Sequence, residues 1–135
     1  MDRLPLPTDT QFDCCWLPRL LAKARQLMAG DLDAAYAAFF CGPGSVDAHF
    51  LEGFGLSKEA VLEAAAMDEP ALRTWFTSLP DIDQKVAAWN ALAPRLGEPG
   101  MPMENRLRDA LANRYPHLAG MTIRSVFAML EADEA

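Results

Sequence analysis

The side chains from which this chain could build chemistry are three cysteines, two histidines and a run of cations on one early segment. Cys41, Asp47 and His49 lie close together in sequence. A thiol with a histidine base is the minimal activated nucleophile, so Cys41 with His49 is the candidate catalytic pair, with Asp47 as the nearby acid. The Cys41-Gly-Pro turn resembles half of a redox motif, but no second cysteine follows at the required spacing. Cys14 and Cys15 stand just before a helix, where a thiol can have a lowered pKa. The default for each of these thiols is a small buried hydrophobe. His49 and Glu52 share a helix face and resemble half of a carboxylate–histidine metal site, in reversed order and with no second copy. Asp47 and His49, two apart on a helix, point away from each other. A metal centre needs three or four convergent ligands, so no metal is expected. There is no Walker pattern and no Gly-x-Gly-x-x-Gly after a strand, and no cofactor is expected.

The second constellation is cationic. Arg19 and Lys23 stand one turn apart near a helix start, where unpaired N–H groups and the helix dipole already favour negative charge. They face an anion or an acidic partner, or they neutralise nearby acids such as Asp13 or Asp47. Trp16, Arg25 and Tyr36 join them as candidate ligand- or partner-binding residues.

The element that must position these groups is the stretch from Trp16 to Gly30. Pro18 sits just inside its start, where a missing N–H costs nothing, and Gly30 sits where a left-handed residue commonly ends a helix. Leu17, Leu20, Leu21, Ala24, Leu27 and Met28 form one apolar stripe at helical spacing. Arg19, Lys23 and Gln26 lie opposite, and Arg25 on the other flank. The plain expectation is a core helix with a solvated basic back.

Around it, residues 1–13 read as an extended arm, kept from helix by Pro5 and Pro7 and pinned by Leu4, Leu6 and Phe12. Residues 31–40 are ambiguous, with a short helix capped by Asp31 or Asp33 as one reading. Ser45 or Asp47 starts a helix that buries Val46, Phe50, Leu51 and Phe54 and stops at Gly55. Ser57 and Asp68 are N-caps, each with a hydrophobic staple, and Asp81 with Gln84 reads as a capping box. Leu96–Pro102 is an inter-helix loop. A helix from about Met103 to Tyr115 turns Leu107, Ala110 and Leu111 inward and Arg106, Arg108, Asp109 and Arg114 outward. Thr122 is the expected cap of the last helix, and the acidic tail 131–135 should fray, because carboxylates oppose the dipole at a helix C-terminus. No sustained strand alternation is present. The expected fold is all-α: one domain, a compact irregular bundle of six or seven helices.

Charge narrows the function. The chain has 135 residues, 51% hydrophobic content and a net charge of −7. That is enough apolar material for a core without disulfides or metal. The acidic balance disfavours nucleic acid and anionic membrane surfaces. No apolar run is long enough to span a bilayer, and the N-terminus lacks the basic-then-apolar order of a signal peptide. A cytoplasmic protein with reduced thiols is expected.

WLPRLLAKAR, followed after a loop by a Cys-Gly-Pro turn and VDAHFLEGFGLSKEAVLEA, resembles a family of small bacterial helical domains of unknown function. Its members pair a W-L-P-R-L-x-x-K-A-R helix with a downstream C-P-L-D-x-x-F-L-x-F-L-G-I segment. The matching positions include Trp16, Pro18, Arg19, Lys23, Arg25, Cys41, Asp47, Phe50, Leu51 and Phe54. The chain departs from the pattern at Gly42–Val46, where its turn is longer. The resemblance implies a small, mostly helical, intracellular bacterial protein and no particular reaction.

Two functions follow as expectations. Apolar faces and caps are abundant while convergent polar residues are scarce, which favours a non-enzymatic module that binds a protein partner or a second copy of itself. The alternative is a small enzyme or a binder of a small molecule or anion, with a pocket between the 16–30 and 46–55 helices. A concave pocket gathering Trp16, Arg19, Cys41, Asp47 and His49 would favour the alternative. A flat apolar patch would favour the module.

Overall fold

Trp16 begins the central helix in the left-handed region at φ 72°, and helix α1 runs Leu17–Ala29 with Pro18 in its first turn. Gly30, at φ 78°, ends it, and the Asp31 N–H closes back onto the Gln26 carbonyl at 2.8 Å. This is the terminating geometry that a glycine permits at no steric cost. The computed structural model describes residues 3–135. Among these, eight α-helices carry the fold, with two 3-10 turns and one pair of two-residue strands. The all-α expectation holds.

The remaining helices are α2 (Ala34–Ala37), α3 (Val46–Phe54), α4 (Lys58–Ala65), α5 (Glu69–Thr77), α6 (Ile82–Leu92), α7 (Glu104–Asn113) and α8 (Val126–Glu134). Ser45, Ser57 and Asp68 each accept a backbone N–H at their helix starts, as the sequence implies. The side-chain oxygen satisfies one of the donors that every helix start leaves unpaired. Asp33 likewise caps α2, which resolves the ambiguous 31–40 segment as a single helical turn.

The core is aromatic where α3, α5 and α6 meet. Phe50 stacks on Phe54 with centroids 4.4 Å apart, and Trp89 meets Phe50 edge-on at 5.2 Å. Trp89 also anchors the N-terminal segment: its indole N–H donates to the Cys15 carbonyl at 2.9 Å. The strands β1 (Thr10–Gln11) and β2 (Cys14–Cys15) pair antiparallel just before α1. Leu4 of the arm is buried, while Leu6 stays exposed.

Several expectations are corrected. Arg19 and Lys23 are buried, so α1 has no solvated back there. Its stripe instead runs out at Met28, which is 49% exposed. Asp81 adopts a left-handed conformation and makes no side-chain cap, so the capping box with Gln84 does not form. The last helix begins at Ser125, whose hydroxyl accepts from Ala128 N–H, rather than at Thr122. Helix α8 runs through the acidic tail to Glu134, whose carboxylate accepts hydrogen bonds from Arg19 and Tyr36.

Candidate functional site

The first two turns of α1 form the floor of the site. Arg19 and Lys23 lie on the same side of α1, and each meets a carboxylate carried by another helix. Asp47, in the first turn of α3, takes both hydrogen bonds of a bidentate contact from Lys23 Nζ at 2.8 Å. Its Oδ1 also accepts the Trp16 indole N–H at 2.8 Å, and its Oδ2 accepts the Cys41 backbone N–H at 3.0 Å. Asp47 is 1% exposed, so this full set of donors is what makes its burial affordable.

The second pair joins α1 to the end of α8. Arg19 donates through Nη1 and Nη2 to the Glu134 carboxylate at 2.9 and 2.5 Å, the planar fork matching the acid. Arg19 Nη1 also reaches the Pro5 carbonyl at 3.0 Å, fixing the arm. Tyr36 of α2 donates its hydroxyl to Glu134 Oε2 at 2.6 Å. The guanidinium lies between the rings of Trp16 and Tyr36, 5.4 and 5.6 Å from their centroids. Lys23 Nζ sits 4.7 Å from the Trp16 centroid on the same floor. Trp16, stacked on Phe127 at 5.4 Å, is therefore the partition between the two ion pairs and the core.

Burial and pairing oppose each other in these groups. Desolvation pulls the Lys23 ammonium below its ordinary value against the opposing pull of Asp47. Burial raises the Glu134 carboxyl, but the hydrogen bonds from Arg19 and Tyr36 win and hold it below the usual carboxylate range. Burial, reinforced by the hydrogen bond to Glu134, pushes the Tyr36 hydroxyl up. The Cys41 thiol is pushed up to about 12 by burial and then by the Asp47 charge. It is a neutral thiol at physiological pH.

Above this floor opens a cavity of about 480 Å³. Trp16, Arg19, Lys23, Tyr36 and Asp47 line its inner side, and Val126, Met129 and Leu130 of α8 its apolar base. The outer wall is α7 with its two cap residues, Met103 and Arg114, and presents Arg106, Leu107 and Ala110 between them. Arg106 and Arg114 converge on the exposed ring of Phe39, at 5.7 and 4.7 Å from its centroid. Arg106 is held there by a hydrogen bond from Nη1 to the Pro43 carbonyl at 3.1 Å. Gly44 makes room for it, since a Cβ at that position would stand 2.7 Å from Nη1.

The residues singled out by sequence divide cleanly. Trp16, Arg19, Lys23, Tyr36 and Asp47 come together in one site. Arg25 does not join them; its Nε donates to the Ala65 carbonyl at 3.0 Å and ties α1 to α4. Cys41 touches the site through its backbone N–H, and neither its thiol nor His49 lines the cavity. Among the described residues no group of three or more His, Cys, Asp or Glu side chains converges as a metal site would require. Sequence reading missed the α7 wall, placing Arg106 and Arg114 on a solvated face. The available signal was their spacing: Arg106, Ala110 and Arg114 recur every fourth residue beside Met103 and Leu107, so one face carries both kinds of side chain.

No curated protein and no solved structure matches the chain. No helix is long and apolar enough to cross a membrane among the described residues. Residues 8–135, which contain every residue of the cavity, match DUF5069, a domain of unknown function, and the chain belongs to that family.

Proposed function

We propose that this domain binds a small molecule in the cleft between α1, α3, α7 and α8. The observation that carries the reading is the cavity of about 480 Å³, within the size range of ligand pockets, built over buried charged groups. A concave site that combines apolar walls with a few convergent polar groups of perturbed pKa is the usual form of a binding site. The interaction-module alternative needs a contiguous apolar patch. The large exposed apolar side chains are Leu6, Met28, Phe39 and Met121, and Phe39 has two arginines over its ring rather than an open apolar surface around it.

The same geometry supports binding over catalysis. A thiol raised to about 12 is not a ready nucleophile, and His49 stands outside the lining. Arg19 and Lys23 are already neutralised by Glu134 and Asp47, so their part is to shape and stiffen the floor. The test is a thermal-shift screen of small metabolites on the wild-type chain and on Ala35→Trp. Ala35 is an exposed residue at the cavity edge, where an indole would obstruct the entrance without disturbing the core. Compounds that raise the melting temperature of the wild type and not of Ala35→Trp support the reading. Equal stabilisation of both proteins refutes it.

A further inference from the structure

The two carboxylates at the cavity floor are each paired with a buried cation of the chain. Asp47 holds Lys23, and Glu134 holds Arg19. Asp133 is 2.7 Å from His117 Nε2, a charge pair only when the imidazole is protonated, and Asp33 caps α2 and keeps its own charge at the cavity edge. The cations at the cavity mouth are different. Arg106 makes one neutral hydrogen bond, to the Pro43 carbonyl. The Arg114 side chain meets the rings of Phe39 and Tyr115 and makes no hydrogen bond or ion pair among the described residues. Two guanidiniums that converge on one ring repel each other, and the ring's negative face offsets that repulsion only partly. Among the described residues neither forms an ion pair, in a protein whose net charge is −7.

Resting on the small-molecule reading above, we infer that the ligand is an organic anion: an acidic head, carboxylate or phosphate, held by Arg106 and Arg114, and an apolar body lying over Leu107, Met129 and Leu130. The charge complementarity follows from the mouth, and the apolar body from the walls beneath it. Phe39 acts as a positioning residue. Its ring keeps both guanidiniums together at the entrance, and the Pro43–Gly44 turn seats Arg106 against it. The planar fork of each arginine suits either acidic head, and both heads share the chemistry of a multi-oxygen anion.

The experiment uses three matched probes on the full chain: 3-phenylpropionate, phenyl phosphate and the neutral 3-phenylpropanol. Binding is followed by amide chemical-shift perturbation in the millimolar range. The two anions are expected to shift amides around the cavity and to bind at least about tenfold more tightly than the alcohol, the scale of a charge-assisted contact. Arg114→Glu is expected to remove that preference. The Arg114 side chain is exposed and has no hydrogen bond to lose, so the variant is expected to stay folded, with at most a small drop in melting temperature from an acid at the end of α7. Phe39→Leu, which keeps the guanidiniums but removes their ring, is expected to weaken the anions more than the alcohol. A stronger response to phenyl phosphate than to the carboxylate assigns the head group, and the reverse assigns it the other way. If the alcohol binds in the cavity as tightly as the anions, or if Arg114→Glu leaves their affinities intact, the anion assignment is overturned while the cleft remains a binding site. If no probe shifts the cavity amides, both readings fall.

Discussion

Asp47 is the residue on which the site depends most. It receives donors from Trp16, Lys23 and the Cys41 backbone, and it lies wholly inside the protein. Asp47→Ala leaves a buried ammonium without its counter-charge, and a loss of about 3–5 kcal/mol is expected in chemical denaturation. A loss below about 1 kcal/mol would show that Lys23 finds water or another acid. Glu134 makes a different, pH-dependent prediction. Its carboxyl is held below its ordinary value of 4.5, so the folded state binds its proton less readily than the unfolded state. Its stabilising contribution is therefore present above about pH 4.5 and lost as pH falls through the lower folded value. Comparing wild type with Glu134→Gln in urea at pH 7 and at successively lower pH should show the difference shrinking below that point. A difference that is constant with pH would mean that the Arg19 contact does not depend on ionisation.

At the scale of elements, α1 and α8 are the two that decide the site. Leu20 on α1 is completely buried, and Leu20→Ala is expected to cost roughly 2–5 kcal/mol through the cavity it leaves. The start of α8 offers a sharper comparison. Ser125→Ala removes the hydroxyl that accepts from Ala128 N–H at 3.1 Å and should cost about 1 kcal/mol. Thr122→Ala, at an exposed position ahead of the helix, should cost close to nothing. The opposite order in measured unfolding free energies would move the helix start back to Thr122. Sequence pattern favours Thr122 because Met121 and Val126 look like a staple around it. In the fold Met121 is exposed, and the Val126 N–H is taken by the Leu96 carbonyl at 2.8 Å. That long-range bond holds residues 122–124 out of the helix.

The whole molecule keeps its thiols neutral and at least half covered. Cys14 and Cys15 are buried, Cys41 is half-buried, and all three are free. Burial pushes Cys15 up to about 11 and Cys41 up to about 12. Native protein at pH 7.5 is therefore expected to react with a thiol reagent far more slowly than the denatured chain, which should titrate all three cysteines without reductant. Rapid modification of a cysteine in the native protein would indicate that the β2–α1 junction or the Cys41 turn opens readily.

The amino-acid sequence by itself determined the helices and most of their ends. Apolar spacing, serine and aspartate caps, and the prolines and glycines are local signals, and they place α1, α3, α4 and α5 close to where they stand. It also singled out Arg19 and Lys23, for their place near a helix start, with Trp16 and Tyr36 beside them, and Asp47 as an acid close to Cys41 and His49. What those residues do was decided only by tertiary structure. Local pattern assigns Arg19 and Lys23 to a solvated face because charge is normally excluded from a core; here acids from α8 and α3, far away in sequence, arrive to pair with them. The same distance hid the mouth of the cavity. Arg106 and Arg114 become a converging pair only when Phe39 is brought beneath them. No periodicity within α7 carries that information, because the ring that gathers the two side chains belongs to another part of the chain.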